Sequence, residues 1–235
     1  VSQMRLLCSA LLSANLLLGS SFSLLSPYYF LCQDNILPKN IFSFERTFVL
    51  SETPAESIPA ADSSDVLNLS APSVLLMEAS TGTILYEKNS HTVLRPASIT
   101  KIMTTLLALE NSDLNEVVTF SDDAINNTEG SGIYRDYGEQ MTMEQCLYAV
   151  MLNSANECAY AVAEHVGGTV EHFVDMMNEK AAELGCTNTH FANPHGLFDE
   201  NHYTTAHDMA LIAAEALRNE DFCQIVLTKS HKATE

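Results

Sequence analysis

Pro96-Ala97-Ser98-Ile99-Thr100-Lys101-Ile102-Met103-Thr104 opens a long helical pattern. From Ala97 to Glu110, apolar residues return at Ile102, Leu106 and Leu109, the period of one helix face. Pro96 suits the start, because the N–H that proline lacks would be unpaired there anyway. Ser98 and Lys101 are three apart, which puts both side chains on one face in adjacent turns. A serine hydroxyl is a poor nucleophile until a base takes its proton. A neutral lysine amine does so where burial or nearby cations depress its pKa. Orphan N–H groups at the helix start would stabilise negative charge developing near Ser98. The chain holds this S-x-x-K once. Two fixed residues alone also fit an ordinary helix start with a solvated lysine.

Working outward, Val74-Leu75-Leu76-Met77, the turn Ala79-Ser80-Thr81-Gly82 and Thr83-Ile84-Leu85-Tyr86 read as a β-hairpin. Val117-Val118-Thr119-Phe120 reads as a short strand. Thr142 with Gln145 forms a capping box, opening a helix with Met143, Leu147, Val150 and Met151. Ser154-Ala155-Asn156 separates it from a second helix, which Gly167-Gly168 ends. A third is expected from about Val170 to Leu184, with Phe173, Met177 and Ala181 on one face and Gly185 as its stop. Phe191 to Tyr203 is polar and loop-like. A further helix starts near Thr205 and turns Met209, Ile212, Ala213 and Ala216 inward. Strands followed by a run of helices indicate a mixed α/β (α+β) architecture, a helical lobe beside a sheet.

The chain of 235 residues carries 11 Lys and Arg against 30 Asp and Glu, a net charge of −19. That excludes a basic footprint for nucleic acid. Residues 1–67 hold 3 positive and 6 negative charges, and residues 68–235 hold 8 and 24, so most of the acid falls on the later part. The N-terminus reads as an export signal over residues 1–33, cleaved or kept as a signal anchor. Arg5 is the single charge before Asp34, and Leu6 to Leu25 is rich in Leu and Ser. Membrane contact would run through that segment, and the body is expected outside the cytoplasmic membrane. Residues 34–67, with Pro38, Pro54 and Pro59, have linker composition. Cys146, Cys158, Cys186 and Cys223 of the body form no C-x-x-C pair and are expected as free thiols. The histidines show no H-E-x-x-H. His190/His195 and His202/His207 are each five apart, so no metal site is expected.

Ser154 and Asn156 place a hydroxyl and an amide in an interhelical loop, 56 residues after Ser98. Such a pair shuttles a proton and holds a substrate amide, or simply caps helices. With these residues in place, the Pro96–Thr104 stretch resembles the active-serine segment of the D-alanyl-D-alanine carboxypeptidases, the low-molecular-mass penicillin-binding proteins. Glu78-Ala79-Ser80-Thr81-Gly82 is similar to the family's opening hairpin, and Met151-Leu152-Asn153-Ser154-Ala155-Asn156-Glu157 to its second motif. Asn193-Pro194-His195-Gly196-Leu197 and His202-Tyr203-Thr204-Thr205-Ala206 are similar to later landmarks. The likeness runs over roughly residues 71–228.

That resemblance implies a β-lactamase/transpeptidase-like fold and acyl transfer on peptidoglycan stem peptides ending in D-Ala-D-Ala. It implies Ser98 as nucleophile, Lys101 as its base, Ser154 as proton relay and Asn156 as a peptide-binding residue. β-Lactams would acylate the same serine, and no cofactor is implied. The family's third motif, K-T-G, is absent, with Lys229-Ser230-His231 as the nearest candidate. Residues 68–235 are therefore expected to form a partial DD-peptidase domain that lacks the closing strands and has little activity alone. A serine β-lactamase and a non-catalytic wall-binding module on the same fold are the competing readings.

Overall fold

The hairpin forms around Gly82, whose φ of +70° makes the turn one that glycine favours. In this computed structural model, which describes residues 6–7 and 69–232, strands β2 (Val74–Glu78) and β3 (Ile84–Lys88) pair antiparallel, with Leu76 opposite Tyr86. The Glu78 carboxylate closes the turn, accepting from the Ser80 hydroxyl at 2.8 Å and the Thr81 N–H at 2.7 Å. Hydrogen bonds from Thr81 and Ser80 hold its pKa down at about 2. A two-residue strand β1 (Leu6–Leu7) pairs with the other edge of β2. The other residues of the expected leader (1–33), the expected linker (34–67), Cys8 and Cys32 lie outside the described residues. Leu75 and Met77 of β2 pack on Ala206, Ala210 and Ala214 of helix α6 (Ala206–Ala216).

Helix α1 (Lys101–Asn111) runs through the middle of the helical lobe. It packs against α3 (Met143–Asn153), α4 (Asn156–Gly167), α5 (Val170–Glu183), α6 and α7 (Glu220–Leu227). Its first eight residues, Lys101 to Ala108, are all buried. The sequence shows one apolar stripe here, yet a helix enclosed by others buries every face, and Thr104 and Thr105 go in with the rest. One apolar cluster joins α3 and α4 through Leu147, Val150, Cys158 and Val162; a second joins α1, α5, α6 and α7 through Met103, Phe173, Met209 and Phe222.

The capping box of α3 is the one the sequence announces. Thr142 and Gln145 make both bonds of the capping box, at 3.2 and 3.0 Å. Thr169 and Thr205 accept from the first turns of α5 and α6. Strand β4 (Val117–Thr119) pairs with an unexpected β5 (Gln140–Thr142), and the short helices α2 (Asp122–Asn126) and α7 are unexpected as well. Cys146, Cys158, Cys186 and Cys223 form no disulfide among the described residues. Burial pushes Cys186 up to about 12, and a hydrogen bond with Cys146 together with burial drives Cys158 up as well, so both are inert thiols.

Candidate active site

Residues Ala97 to Thr100 form one 3-10 turn, and α1 begins only at Lys101, later than the expected start at Ala97. Ala97 has φ +49°, in the left-handed region, and so cannot continue a right-handed helix. Ser98 sits half-buried in this turn, beside Lys101. The Lys101 side chain is 2% exposed.

Its ammonium position is fixed from three sides. Lys101 Nζ donates to Asn156 Oδ1 at 2.7 Å and to the His195 carbonyl at 2.8 Å, and lies 3.2 Å from Ser98 Oγ. The first two partners can only accept, so they claim two N–H bonds. The third position of the nitrogen faces Ser98, where an ammonium donates and a neutral amine accepts the hydroxyl proton. Burial pushes Lys101 down to about 8, while the nearby Glu157 carboxylate opposes that fall. About a tenth of the amine is then neutral at pH 7, far more than at the ordinary lysine value.

Asn156 is the first residue of α4. Its Nδ2 donates to the Glu129 carbonyl at 2.5 Å and its backbone N–H to Ser131 O at 2.9 Å, which fixes the amide with Oδ1 toward Lys101. Ser154 closes α3 in the left-handed region, φ +57°. Its hydroxyl is buried without a hydrogen-bond partner among the described residues. The structure thus joins Ser98, Lys101 and Asn156 directly, and holds Ser154 two residues away from Asn156 in the loop between α3 and α4.

The loop Asn193–Leu197 backs the serine turn. Thr104 Oγ1 donates to Pro194 O at 2.6 Å, Lys101 bonds His195 O, and Asn193 Oδ1 accepts the Gly196 N–H at 2.7 Å. A Cβ on Gly196 would lie 1.9 Å from Ala97 O. His202 braces the same turn. Its Nδ1 accepts from Ala192 N–H at 3.1 Å, so the neutral ring carries its proton on Nε2 and donates to Thr100 Oγ1 at 2.8 Å. Burial lowers His195 and His202 to about 4 each, with Lys101 adding to the effect at His195. Both rings are neutral at pH 7. These histidines, Gly196 and Glu157 lie within the sequence landmarks, but spacing assigns them no role. Among the described residues no group of three or more His, Cys, Asp or Glu could hold a metal ion.

A family model described as D-alanyl-D-alanine carboxypeptidase, peptidase S11, matches residues 59–235. The chain belongs to that family. The D-alanyl-D-alanine carboxypeptidase DacF of Bacillus subtilis is 42% identical over 164 residues, 67% of this chain and 42% of that one. Among solved structures, the carboxypeptidase DacD of Francisella tularensis is 38% identical with a TM-score of 0.61, covering 69% of this chain and 40% of that one. The Streptomyces K15 DD-transpeptidase is 34% identical with a TM-score of 0.62, covering 66% and 63%. The fold is that of the penicillin-binding proteins and transpeptidases, here as helices with small antiparallel sheets. The chain spans about two fifths to three fifths of the length of the curated carboxypeptidases it matches.

Proposed function

We propose that this site carries out serine acyl transfer as a D-Ala-D-Ala carboxypeptidase. Neutral Lys101 takes the Ser98 proton as Oγ attacks the penultimate D-alanine carbonyl of a stem peptide. The Ser98 backbone N–H, in the 3-10 turn, stabilises the oxyanion. Ser154 relays that proton from Lys101 to the amine of the departing D-alanine, the C–N bond breaks to leave an ester on Ser98, and Lys101 is neutral again. Water then hydrolyses the ester, with Lys101 again as base. Asn156 orients Lys101 through Oδ1 and borders the peptide. The substrate class places the reaction on the outer side of the cytoplasmic membrane, where stem peptides lie. A β-lactam ring would open on the same serine and leave an inert ester.

The observation that carries this reading is the buried Lys101 amine, held by two acceptors and facing Ser98 Oγ at 3.2 Å. The test is mass spectrometry of the full-length protein after benzylpenicillin treatment. The adduct is expected on Ser98 and absent from Ser98→Ala. Lys101→Ala should slow acylation by on the order of 10²-fold or more, the scale for losing a positioned base. An adduct on another serine, or an unchanged rate in the lysine variant, overturns the assignment.

A further inference from the structure

Glu157 follows Asn156 on α4, and its side chain enters the same interior. The residue is only 6% exposed. Its Oε1 accepts two backbone bonds, from Ile133 N–H at 2.5 Å and Tyr134 N–H at 2.8 Å. Gly132 leaves room for it: a Cβ there would meet Oε2 at 2.6 Å and Oε1 at 2.8 Å. Among the described residues Glu157 forms no ion pair. A buried carboxylate without a cation partner is costly, and two backbone donors offset only part of that cost. The neighbouring contacts show what surrounds it. Asn156 binds Glu129 O, Asn153 Nδ2 donates to Gly132 O at 2.8 Å, and the amide of Asn156 holds Lys101. The segment 129–134 is therefore stitched to the α3–α4 loop by the side chains of Asn153, Asn156 and Glu157.

We propose that Glu157 is a positioning residue of this site: its carboxylate fixes the Gly132–Tyr134 wall and supplies the negative charge against which Lys101 works as a base. The inference rests on the reading of Lys101 as the base of acylation. Other charges act on Lys101 little. His195, from the loop, is neutral. Asp208 of α6 accepts from Asn188 N–H and the Thr189 hydroxyl. Lys180 of α5 pairs with Glu110 at the far end of α1, where Asp221 of α7 also stands beside Leu109 and Glu144 of α3 is placed by its backbone N–H, which donates to Leu114 O. Arg95, before the 3-10 turn, is engaged by the carbonyl of Asp199. Burial and Glu157 thus oppose one another at the lysine, the first releasing its proton and the second retaining it. The site keeps its base poised near the working pH and not fully neutral.

The charge and the anchor can be separated, because both backbone bonds go to a single oxygen that a glutamine retains. In Glu157→Gln the wall stays tied while the charge goes. Acylation by benzylpenicillin, followed from pH 5.5 to 9 in the full-length protein, should rise with pH along a limb set by Lys101. In Glu157→Gln that limb is expected to move down by roughly one pH unit, the low end of the scale for losing an opposite charge, as suits one that is not in contact with Lys101. On the acid side the variant should then acylate faster than the wild type, which a merely structural residue would not produce. A limb that depends on Lys101 but does not move in a Glu157→Gln protein with a wild-type melt overturns the inference alone. A limb that survives Lys101→Ala overturns the base assignment and this inference with it. Where Glu157→Gln gives no cooperative melt, Glu157→Asn is read the same way; failure of both to fold makes the carboxylate a structural requirement and also overturns the proposal.

Discussion

A methyl group on Gly196 would lie 1.9 Å from the carbonyl oxygen of Ala97, 2.4 Å from its carbon and 2.9 Å from Thr100 Oγ1. Ordinary contact begins near 3.4 Å, so the two backbones must separate by about 1.5 Å in Gly196→Ala. Both sides resist. Gly196 has φ +87°, which costs an alanine about 1 to 2 kcal/mol, and the opposing atoms are backbone with no rotamer to yield. Overpacking adds about 1 to 3 kcal/mol. For a domain of this size the two together lower Tm by on the order of 5 to 15 °C. The kinetic effect is larger, because the displaced atoms belong to the residue before Ser98. A shift of about an ångström in a reacting group costs on the order of 10²-fold in rate. The assay is the rate of fluorescent penicillin labelling beside a thermal melt, with Gly138→Ala as control. Gly138 has φ +78° but nothing within 4 Å of a new Cβ, so it reports backbone strain alone. Gly196→Ala labelling at the wild-type rate would refute the claim that this loop sets the position of the serine turn.

Acid should unfold the lobe partly through its buried histidines. His195 and His202 have pKa values near 4 when folded and 6.5 when unfolded, so below pH 6.5 the unfolded chain binds more protons and stability falls until about pH 4. A displacement of that size is worth on the order of 3 kcal/mol per ring. His202→Gln should therefore flatten the loss of urea midpoint between pH 7 and 4.5, and an identical slope in the variant would discard the explanation. Thr142→Ala removes one half of the capping box of α3 and should cost about 1 kcal/mol, a Tm decrease of about 2 to 4 °C by circular dichroism. An unshifted melt would show that β5 alone fixes the start of that helix.

Periodicity found the helices that have an outside. α5 and α6 carry apolar stripes and polar backs, and their caps Thr169 and Thr205 stand where the chain reverses. It described α1 only in outline, since a helix enclosed on every side has no polar face to set against its apolar one. α2 and β5 are too short to show a period, and α7 offers only the stripe Phe222, Ile225 and Val226 over two turns, behind its cap Asn219. The 3-10 turn is a different case. Nothing in Ala97 itself favours φ +49°. That conformation coexists with a contact to Gly196, about a hundred residues on, and local reading has no access to such a contact.

The site divides along the same line. Ser98 and Lys101 were legible because their proximity is a local consequence of a three-residue spacing. Asn156 reaches Lys101 across 55 residues, and spacing leaves its amide indistinguishable from a helix cap. What spacing conveys least is the placing of charge. At position 156 a carboxylate would bind Lys101 directly and hold its proton, defeating the base. An amide there gives orientation without charge, and the acid stands one residue further along, turned to the backbone of Ile133 and Tyr134. Asn-Glu at the head of a helix is an ordinary capping and dipole pattern, so the sequence carries no sign that the two are divided in this way. The division follows from burial: in a dry interior one residue can hold the lysine in place, and a different one can set how readily it gives up a proton.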